Sequence, residues 1–261
     1  MTQKGRRQAY PIEHGPRTGE SIVLLHGGNV AGWMWDPQVE RMPGRHLLTP
    51  NLPGYGARTD EPWTGMDGTA DDIADLIRSR GIGGKAHLVG LSLGGIVSIH
   101  LMHRHPELVH TCIATGSAIT GYSRLEQLLI GAQVPLWRRR WYWAAQAFAF
   151  GIPKDSREQY ASDASRVSAQ TNRDMFRQVV KGSLPEEFDF AGPVLAVSGE
   201  HDTRSVTRAF EPLRAVLPQL RTWIAPRMHH AWNIEDPDLF TRMITTHAET
   251  GTWTGPAGTE P

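Results

Sequence analysis

Short apolar runs alternate with amphipathic segments along most of the chain. The clearest apolar runs occupy residues 21–25, 46–52, 86–90 and 193–198. Each ends in turn residues, as is typical of strands that are buried on both faces of a sheet. Between the runs, Ile73, Leu76 and Ile77 form the apolar stripe of a helix predicted over 70–80. The alternation predicts an α/β fold with a mostly parallel central sheet and helices on both faces.

One long segment, 118–190, is helical in pattern and has no strand-like run. We interpret it as a helical cap inserted into a core formed by 1–117 and 191–249. The core pattern then resumes with a strand, a helix, a strand and a helix, predicted at 193–198, 206–217, 221–225 and 236–248. The last segment, 250–261, is rich in Gly, Thr and Pro, which predicts a disordered tail.

The strongest chemical signal is the sequence Gly90-Leu91-Ser92-Leu93-Gly94, which lies between a predicted strand and a predicted helix. A G-x-S-x-G sequence in that context forms a sharp turn that exposes the serine hydroxyl, and the glycines let neighbouring backbone approach. The N-terminus of the following helix favours developing negative charge. Ser92 is therefore the candidate nucleophile.

A serine nucleophile needs a base and a carboxylate that orients the base. Asp202 follows the predicted strand 193–198, at the carboxyl end where open parallel sheets place their sites. His230 lies in the loop after the last predicted strand and can reach the same edge. Glu200 is a rival for the acid, although it fits a solvated turn residue better. His229 is a rival for the base, because a histidine doublet leaves the register open by one residue.

These motifs resemble the α/β-hydrolase superfamily over nearly the whole chain, in particular its small cap-bearing serine hydrolases. The matching segments are VLLHGG at 23–28, LPGYG at 52–56, VGLSLGG at 89–95, SGEHD at 198–202 and HAWNIEDPDLF at 230–240. The resemblance implies the α/β-hydrolase fold, with Ser92 as nucleophile, Asp202 as acid and His230 as base. Some relatives carry the acid in an earlier turn, but here that turn, 115–118, has no carboxylate.

The resemblance also implies an oxyanion hole made of two backbone N–H groups. One belongs to Leu93, directly after the nucleophile, and the other to Gly28, in the loop after the first buried strand. The family often has a large hydrophobic residue beside this loop, where this chain has Asn29. We expect Asn29 to form part of the wall of the substrate pocket.

The cap contains an unusual segment, 135–143, that combines three arginines with four aromatic residues. It either forms a rim for an anionic substrate or contacts a membrane surface, or it forms a cap helix with arginines outside and tryptophans inside. We predict that Trp137 and Trp141 contact substrate.

Composition narrows the classes of partner. The formal net charge is +0 and the pI is about 7.2, which does not favour nucleic acid or an anionic membrane. The single cysteine, Cys112, suggests a reducing compartment, so we expect a cytoplasmic protein. Residues 1–16 do not fit a signal peptide, and no run of 18 apolar residues predicts a membrane span. Four histidines crowd one region without carboxylates or cysteines at ligand spacing, so no metal is expected: His100, His103, His105 and His110.

The sequence therefore predicts a cofactor-free serine hydrolase that acts on an ester, lactone or thioester of a small to medium apolar substrate. Specificity should reside in 118–190 and Asn29. The same fold and residues also serve carbon–carbon bond hydrolysis, perhydrolysis, cyanohydrin cleavage by lyases, and ligand reception. Dehalogenases and epoxide hydrolases carry Asp at the nucleophile position, where this chain has Ser92. The sequence makes no prediction about oligomeric state.

Overall fold

A computed structural model describes residues 12–256 of the chain. Seven strands form one sheet in the order β1-β3-β2-β4-β5-β6-β7, and every neighbouring pair except β1–β3 is parallel. The strands are β1 Glu13–His14, β2 Ser21–Leu25, β3 His46–Leu48, β4 Ala86–Leu91, β5 Val109–Thr115, β6 Val194–Gly199 and β7 Arg221–Ala225. The predicted α/β fold with a mostly parallel sheet is confirmed.

Helices connect these strands. In the core they are α1 Asp36–Arg41, α2 Gly65–Arg80, α3 Leu93–Arg104, α8 Arg204–Arg208, α9 Phe210–Val216, α10 Trp232–Glu235 and α11 Pro237–Thr250. Between β5 and β6 lie α4 Arg124–Gln133, α5 Arg140–Ala149, α6 Lys154–Arg166 and α7 Ala169–Lys181. Short 3₁₀ segments occupy Gly32–Trp35, Gly56–Arg58, Ile82–Gly84, Pro106–Leu108 and Val134–Arg138. None of the helices in the described part is both long and apolar enough to cross a bilayer.

The core consists of two hydrophobic clusters, one on each face of the sheet. Successive residues of β2 alternate between them: Ile22 and Leu24 point into one cluster, and Val23 and Leu25 point into the other. Helices α2 and α3 cover the second face, whereas α11 covers the first. Because the central strands are buried on both sides, their sequences are continuously apolar rather than alternating.

The segment 118–190, which we call the cap segment, contains α4–α7 and no strand. Its buried side chains join both core clusters. Tyr142 and Trp143 of α5 pack with the cluster that contains α11, while Met175 and Val179 of α7 pack with the other. The cap segment thus packs over the carboxyl ends of the strands, where its side chains can line a site.

Two proline positions explain elements that are shorter than the apolar pattern suggests. The helix predicted over 206–217 is divided into α8 and α9, because Pro212 has no N–H to donate to the carbonyl of Arg208. The strand predicted over 46–52 ends at Leu48, shortly before Pro50.

The end of the chain differs from the sequence prediction. Helix α11 continues to Thr250, and Trp253 is 7% exposed, with its ring 5.5 Å from that of Trp223. The predicted disordered tail is therefore wrong for 250–256, because its single aromatic residue packs into the core. Residues 257–261 lie outside the described residues.

Candidate active site

Ser92 lies between β4 and α3 with an unusual backbone conformation. Its φ is 54° and its ψ is −114°, which is a strained region for a residue with a side chain. The turn is held by four hydrogen bonds. The Ser92 N–H donates to the Thr115 carbonyl at 2.7 Å, and the Ser92 carbonyl accepts from Gly95 N and Ile96 N at 3.1 Å and from Ser117 Oγ at 3.0 Å. This network fixes the strained turn.

The glycines around Ser92 are required by close packing. A Cβ on Gly90 would lie 2.2 Å from the Gly94 carbonyl oxygen, and a Cβ on Gly94 would lie 2.1 Å from the Leu25 carbonyl oxygen. Neither contact is possible for a residue with a side chain. The turn thus packs against the end of β2, which brings the loop after β2 beside Ser92.

The imidazole of His230 is paired with the carboxylate of Asp202. His230 Nδ1 lies 3.0 Å from Oδ1 and 2.9 Å from Oδ2 of Asp202, and the Asp202 side chain is 1% exposed. A carboxylate can only accept, so neutral His230 carries its proton on Nδ1. Its Nε2 is then free to accept a proton from another group.

The electrostatics of this pair favour two charges. Burial raises the pKa of the Asp202 carboxyl. The charge and hydrogen bond of His230, together with a hydrogen bond from Thr203 N, outweigh burial and hold that pKa below its ordinary value. Burial likewise lowers the pKa of His230, but the charge and hydrogen bond of Asp202 outweigh burial and raise that pKa above its ordinary value. Asp202 thus stabilises an imidazolium at His230.

Gly116, directly after β5, makes room for this pair. A Cβ at this position would lie 3.0 Å from His230 Cε1, 3.1 Å from His230 Nδ1 and 3.3 Å from Asp202 Oδ2. The φ of Gly116 is also positive, at 63°. A side chain at position 116 would therefore crowd His230 and Asp202.

The rival residues have other partners. His229 Nδ1 lies 2.9 Å from Glu235 Oε1, and the His229 backbone N–H donates to Glu235 Oε2 at 2.8 Å. Glu200, which is exposed, accepts a hydrogen bond from the backbone N–H of Arg227 at 2.6 Å. The geometry thus pairs His230, and not His229, with Asp202.

The loop after β2 lies beside Ser92, as predicted for the oxyanion loop. A Cβ on Gly27 would be 3.5 Å from Ser92 Cβ, and a Cβ on Gly28 would be 3.9 Å from Leu93 Cδ2. His26 orders this loop: its Nδ1 donates to the Gly27 carbonyl at 2.7 Å, so its Nε2 can accept from Leu52 N at 2.9 Å. Burial lowers the pKa of His26 to about 4, which keeps the ring neutral in this role.

A cavity of about 290 Å³ opens beside Ser92 and His230. Gly28, Asn29 and Leu93 line it from the core. From the cap segment, apolar and aromatic side chains line it: Ile130, Trp137, Phe150, Ile152, Met175, Phe176 and Val179. Asn29, which we expected in the wall of the substrate pocket, is thus one of the lining residues, and its φ is positive, at 61°.

The two tryptophans predicted to contact substrate differ in position. Trp137 lines the cavity and lies 4.3 Å from the ring of Phe176. Trp141 does not line the cavity and is 60% exposed on the outside of α5. The prediction for Trp141 is therefore wrong. Arg139 has an extended backbone that separates the 3₁₀ turn of Trp137 from α5, so the two side chains do not share a helical face.

The cavity also has a polar wall, which the sequence did not reveal. Tyr160 Oη donates to Gln146 Oε1 at 2.6 Å, and Tyr142 Oη donates to Gln133 Oε1 at 2.8 Å. Gln146 Nε2 lies 3.5 Å from Tyr142 Oη, which joins the two pairs. These four residues come from three cap elements, and no local motif connects them.

Sequence reasoning also missed Phe150, whose ring lies 4.7 Å from the imidazole of His230. The Phe150 carbonyl accepts a hydrogen bond from Ala231 N at 3.0 Å. The next residue, Gly151, has a φ of 74°, and a Cβ there would lie 2.9 Å from His229 Cβ. An aromatic residue before a glycine at a helix end was a visible signal, but its partner is about 80 residues away in sequence.

The four crowded histidines have ordinary partners or lie apart. His100 Nδ1 lies 2.7 Å from Asp67 Oδ1, His105 Nε2 lies 2.7 Å from Asp71 Oδ1, and His103 Nδ1 donates to the Glu187 carbonyl at 2.8 Å. Within 12–256 no group of three or more His, Cys, Asp or Glu side chains is arranged to hold a metal ion.

The chain is similar in sequence to known proteins over most of its length. The chain is 28% identical over 87% of its length to an AB hydrolase superfamily protein of Gibberella zeae, of which the match covers 79%. It is 26% identical to a pimeloyl-[acyl-carrier protein] methyl ester esterase of Nitrosomonas europaea, with 85% of this chain and 93% of that protein covered.

Among solved structures, the chain resembles an esterase from Rhodococcus sp. ECU1013. The TM-score is 0.74 at 21% identity, with 92% of this chain and 94% of that chain covered. A family model described as the alpha/beta hydrolase family matches residues 22–243. That match spans β3–β7 and nearly all of β2, the turn at Ser92, the cap segment and the His230 loop, and the chain belongs to the alpha/beta hydrolase family.

Proposed function

We propose that this protein is a serine hydrolase that cleaves an ester, lactone or thioester of a small to medium apolar substrate. One observation carries the proposal: Ser92 occupies a strained, glycine-flanked turn beside a cavity that His230 also lines, while Asp202 holds the other side of the His230 ring. This arrangement fits a nucleophile, a base and an orienting acid. Relatives named as esterase and lipase support the same class.

In the first half-reaction, Ser92 Oγ attacks the substrate carbonyl carbon and its proton passes to His230 Nε2. The electron pair of the carbonyl moves onto its oxygen, and this oxyanion accepts hydrogen bonds from the N–H groups of Gly28 and Leu93. Asp202 stabilises the imidazolium formed at this point. When the intermediate collapses, the bond to the leaving group breaks, and the leaving group takes the proton from His230.

In the second half-reaction, a water molecule attacks the acyl carbon and gives its proton to His230. Collapse of this intermediate releases the acid and returns the proton to Ser92 Oγ. The cavity of about 290 Å³, walled by aromatic and aliphatic side chains, suits an acyl group or ring of modest size. We also infer a reducing, cytoplasmic setting, because the chain has a single cysteine.

The test is a set of initial rates on aryl esters of increasing acyl length. We expect Ser92→Ala and His230→Ala to lose activity by about a thousandfold or more. His229→Ala is the matched control, because this neighbouring histidine pairs with Glu235, and it should lose far less. Mass spectrometry with a slowly hydrolysed ester should find the acyl group on the peptide that contains Ser92.

Retained activity in Ser92→Ala would refute the mechanism. If wild-type protein is folded but inert on every ester, lactone and thioester, the proposal fails in favour of the alternatives that use the same residues. Those are carbon–carbon bond hydrolysis, perhydrolysis, a lyase reaction, or ligand reception without turnover.

A further inference from the structure

The exposed apolar side chains of this protein are concentrated in one part of the cap segment. Of the seven large hydrophobic residues that are strongly exposed within 12–256, six lie between 125 and 148. We call these six the outer cap face: Leu125, Leu128, Leu129, Val134, Trp141 and Phe148. Leu128 is 72% exposed, Phe148 70% and Trp141 60%. The seventh, Ile224, lies in β7 of the core.

The outer cap face follows the periodicity of two helices. On α4, Leu125, Leu128 and Leu129 have the spacing of one helical side, while Ile130, which lines the cavity, lies on another side. On α5, Trp141 and Phe148 are seven residues apart, which is two turns. None of the residues of α4 is fully buried. These helices therefore present organised apolar sides to solvent, which soluble proteins rarely expose without a binding role.

The same region carries unpaired positive charge. The stretch 124–150 contains four arginines and one acidic residue, although the whole chain is neutral. The acidic residue, Glu126, already accepts hydrogen bonds from Ser205 Oγ and the Arg208 guanidinium. Arg140 pairs with Glu158. The other three, Arg124, Arg138 and Arg139, are exposed and form no side-chain hydrogen bond or ion pair with any described residue.

We propose that the outer cap face binds the surface of an anionic lipid bilayer. Exposed apolar helical sides with arginines close by in the sequence combine acyl-chain contact with attraction to anionic headgroups. Such a surface requires no fitted geometry, which agrees with arginines that have no fixed partner. In a symmetric dimer the same face would meet itself, which would bring the unpaired arginines of the two copies together.

Binding in this orientation would bring the cavity close to lipid. Ile130 and Gln133 of α4 line the cavity, and Trp137 follows in the 3₁₀ turn that joins α4 to α5. The cavity and the outer cap face thus lie on adjacent sides of α4. Apolar substrates that partition into the bilayer would be concentrated beside it.

The experiment is flotation of the full chain with vesicles of phosphatidylcholine alone and of phosphatidylcholine mixed with phosphatidylglycerol. We expect flotation with the anionic vesicles, weaker flotation with the neutral ones, and loss of the difference at high salt. In Arg138→Gln/Arg139→Gln, binding to anionic vesicles should weaken by about five-fold for each charge removed.

The apolar contribution is tested with Leu128→Asp/Leu129→Asp, which should reduce flotation by about tenfold or more. Ile224→Asp is the matched control, because it places a charge on an exposed aliphatic position outside the face, and it should float as wild type does. Circular dichroism and thermal unfolding should show that every variant is folded. The readout is binding, so its outcome is independent of the proposed hydrolase activity.

Several outcomes would overturn the proposal. Wild-type protein that stays in solution with both kinds of vesicle contradicts it, as does equal flotation with neutral and anionic vesicles at low salt. If sedimentation instead finds a dimer that Leu128→Asp dissociates, the face is an interface between copies. If the protein does not bind vesicles but an acidic soluble protein binds it through Arg138 and Arg139, the face is a protein-docking site.

Discussion

Gly116 offers a test of whether the geometry around His230 controls activity. In Gly116→Ala, the added Cβ would lie 3.0 Å from His230 Cε1 and 3.3 Å from Asp202 Oδ2. Ordinary van der Waals contact needs distances of about 3.5–4.0 Å. The imidazole or the carboxylate must therefore shift by a few tenths of an ångström to make room for the methyl group.

The substitution should lower both stability and rate, and the two effects can be measured separately. The positive φ of 63° costs an alanine about 1–2 kcal/mol of stability. For a chain of this size, that is a fall in Tm of about 2–8 °C. Because a displacement of about 1 Å in a catalytic group costs about a hundredfold in rate, we expect a shift of a few tenths of an ångström to lower kcat/KM by about threefold to tenfold.

Gly83→Ala is the matched control. Gly83 has nearly the same φ, 66°, but a Cβ there would meet nothing within 4 Å. The Gly83→Ala variant should show a similar fall in Tm but no fall in kcat/KM. The assay is thermal unfolding together with kcat/KM on the aryl ester that wild-type protein cleaves best. If Gly116→Ala keeps full activity, the packing of His230 and Asp202 is not what sets the rate, and the reasoning is refuted.

Three further predictions concern the pair, the cavity and the C-terminal packing. Since the pKa of His230 is raised above its ordinary value, kcat/KM of the wild-type protein should fall as pH decreases through that raised pKa. In Asp202→Asn only burial acts on the pKa of His230, so the rate should drop by about 10⁴ and any residual activity should persist to lower pH. Trp137→Ala should raise KM, whereas Trp141→Ala should leave the kinetics on soluble esters unchanged; equal effects would contradict the cavity assignment. Trp253→Ala should lower the free energy of unfolding by about 3 kcal/mol in denaturant titrations, whereas an unchanged midpoint would mean that its packing contributes nothing.

The parts of this protein that the sequence predicted are those determined by local pattern. Apolar runs bounded by turns identified the strands, and a glycine-flanked serine between a strand and a helix identified Ser92. Asp202 and His230 were found because both follow strands whose carboxyl ends meet at one edge. The register between His229 and His230 needed the structure, because only the positions of Asp202 and Glu235 distinguish two adjacent rings.

The cap segment was predicted less completely, because its contacts depend on how four helices pack. Trp137 and Trp141 are four residues apart and would share a face in one continuous helix. The extended backbone at Arg139 interrupts the helix, so one ring lines the cavity and the other faces solvent. Phe150 meets His230 across a long stretch of chain, and no periodicity within either segment reports that contact.

The contact between Phe150 and the His230 loop matters for protein engineering. A chimera that exchanged the whole of 118–190 for the insertion of another hydrolase would remove both the ring beside His230 and the carbonyl that accepts from Ala231 N. Crossover points placed before Phe150, so that the Phe150–Gly151 turn stays with the recipient scaffold, would leave the histidine loop supported. Libraries aimed at new substrates should therefore diversify 124–147 and keep that turn as part of the catalytic framework.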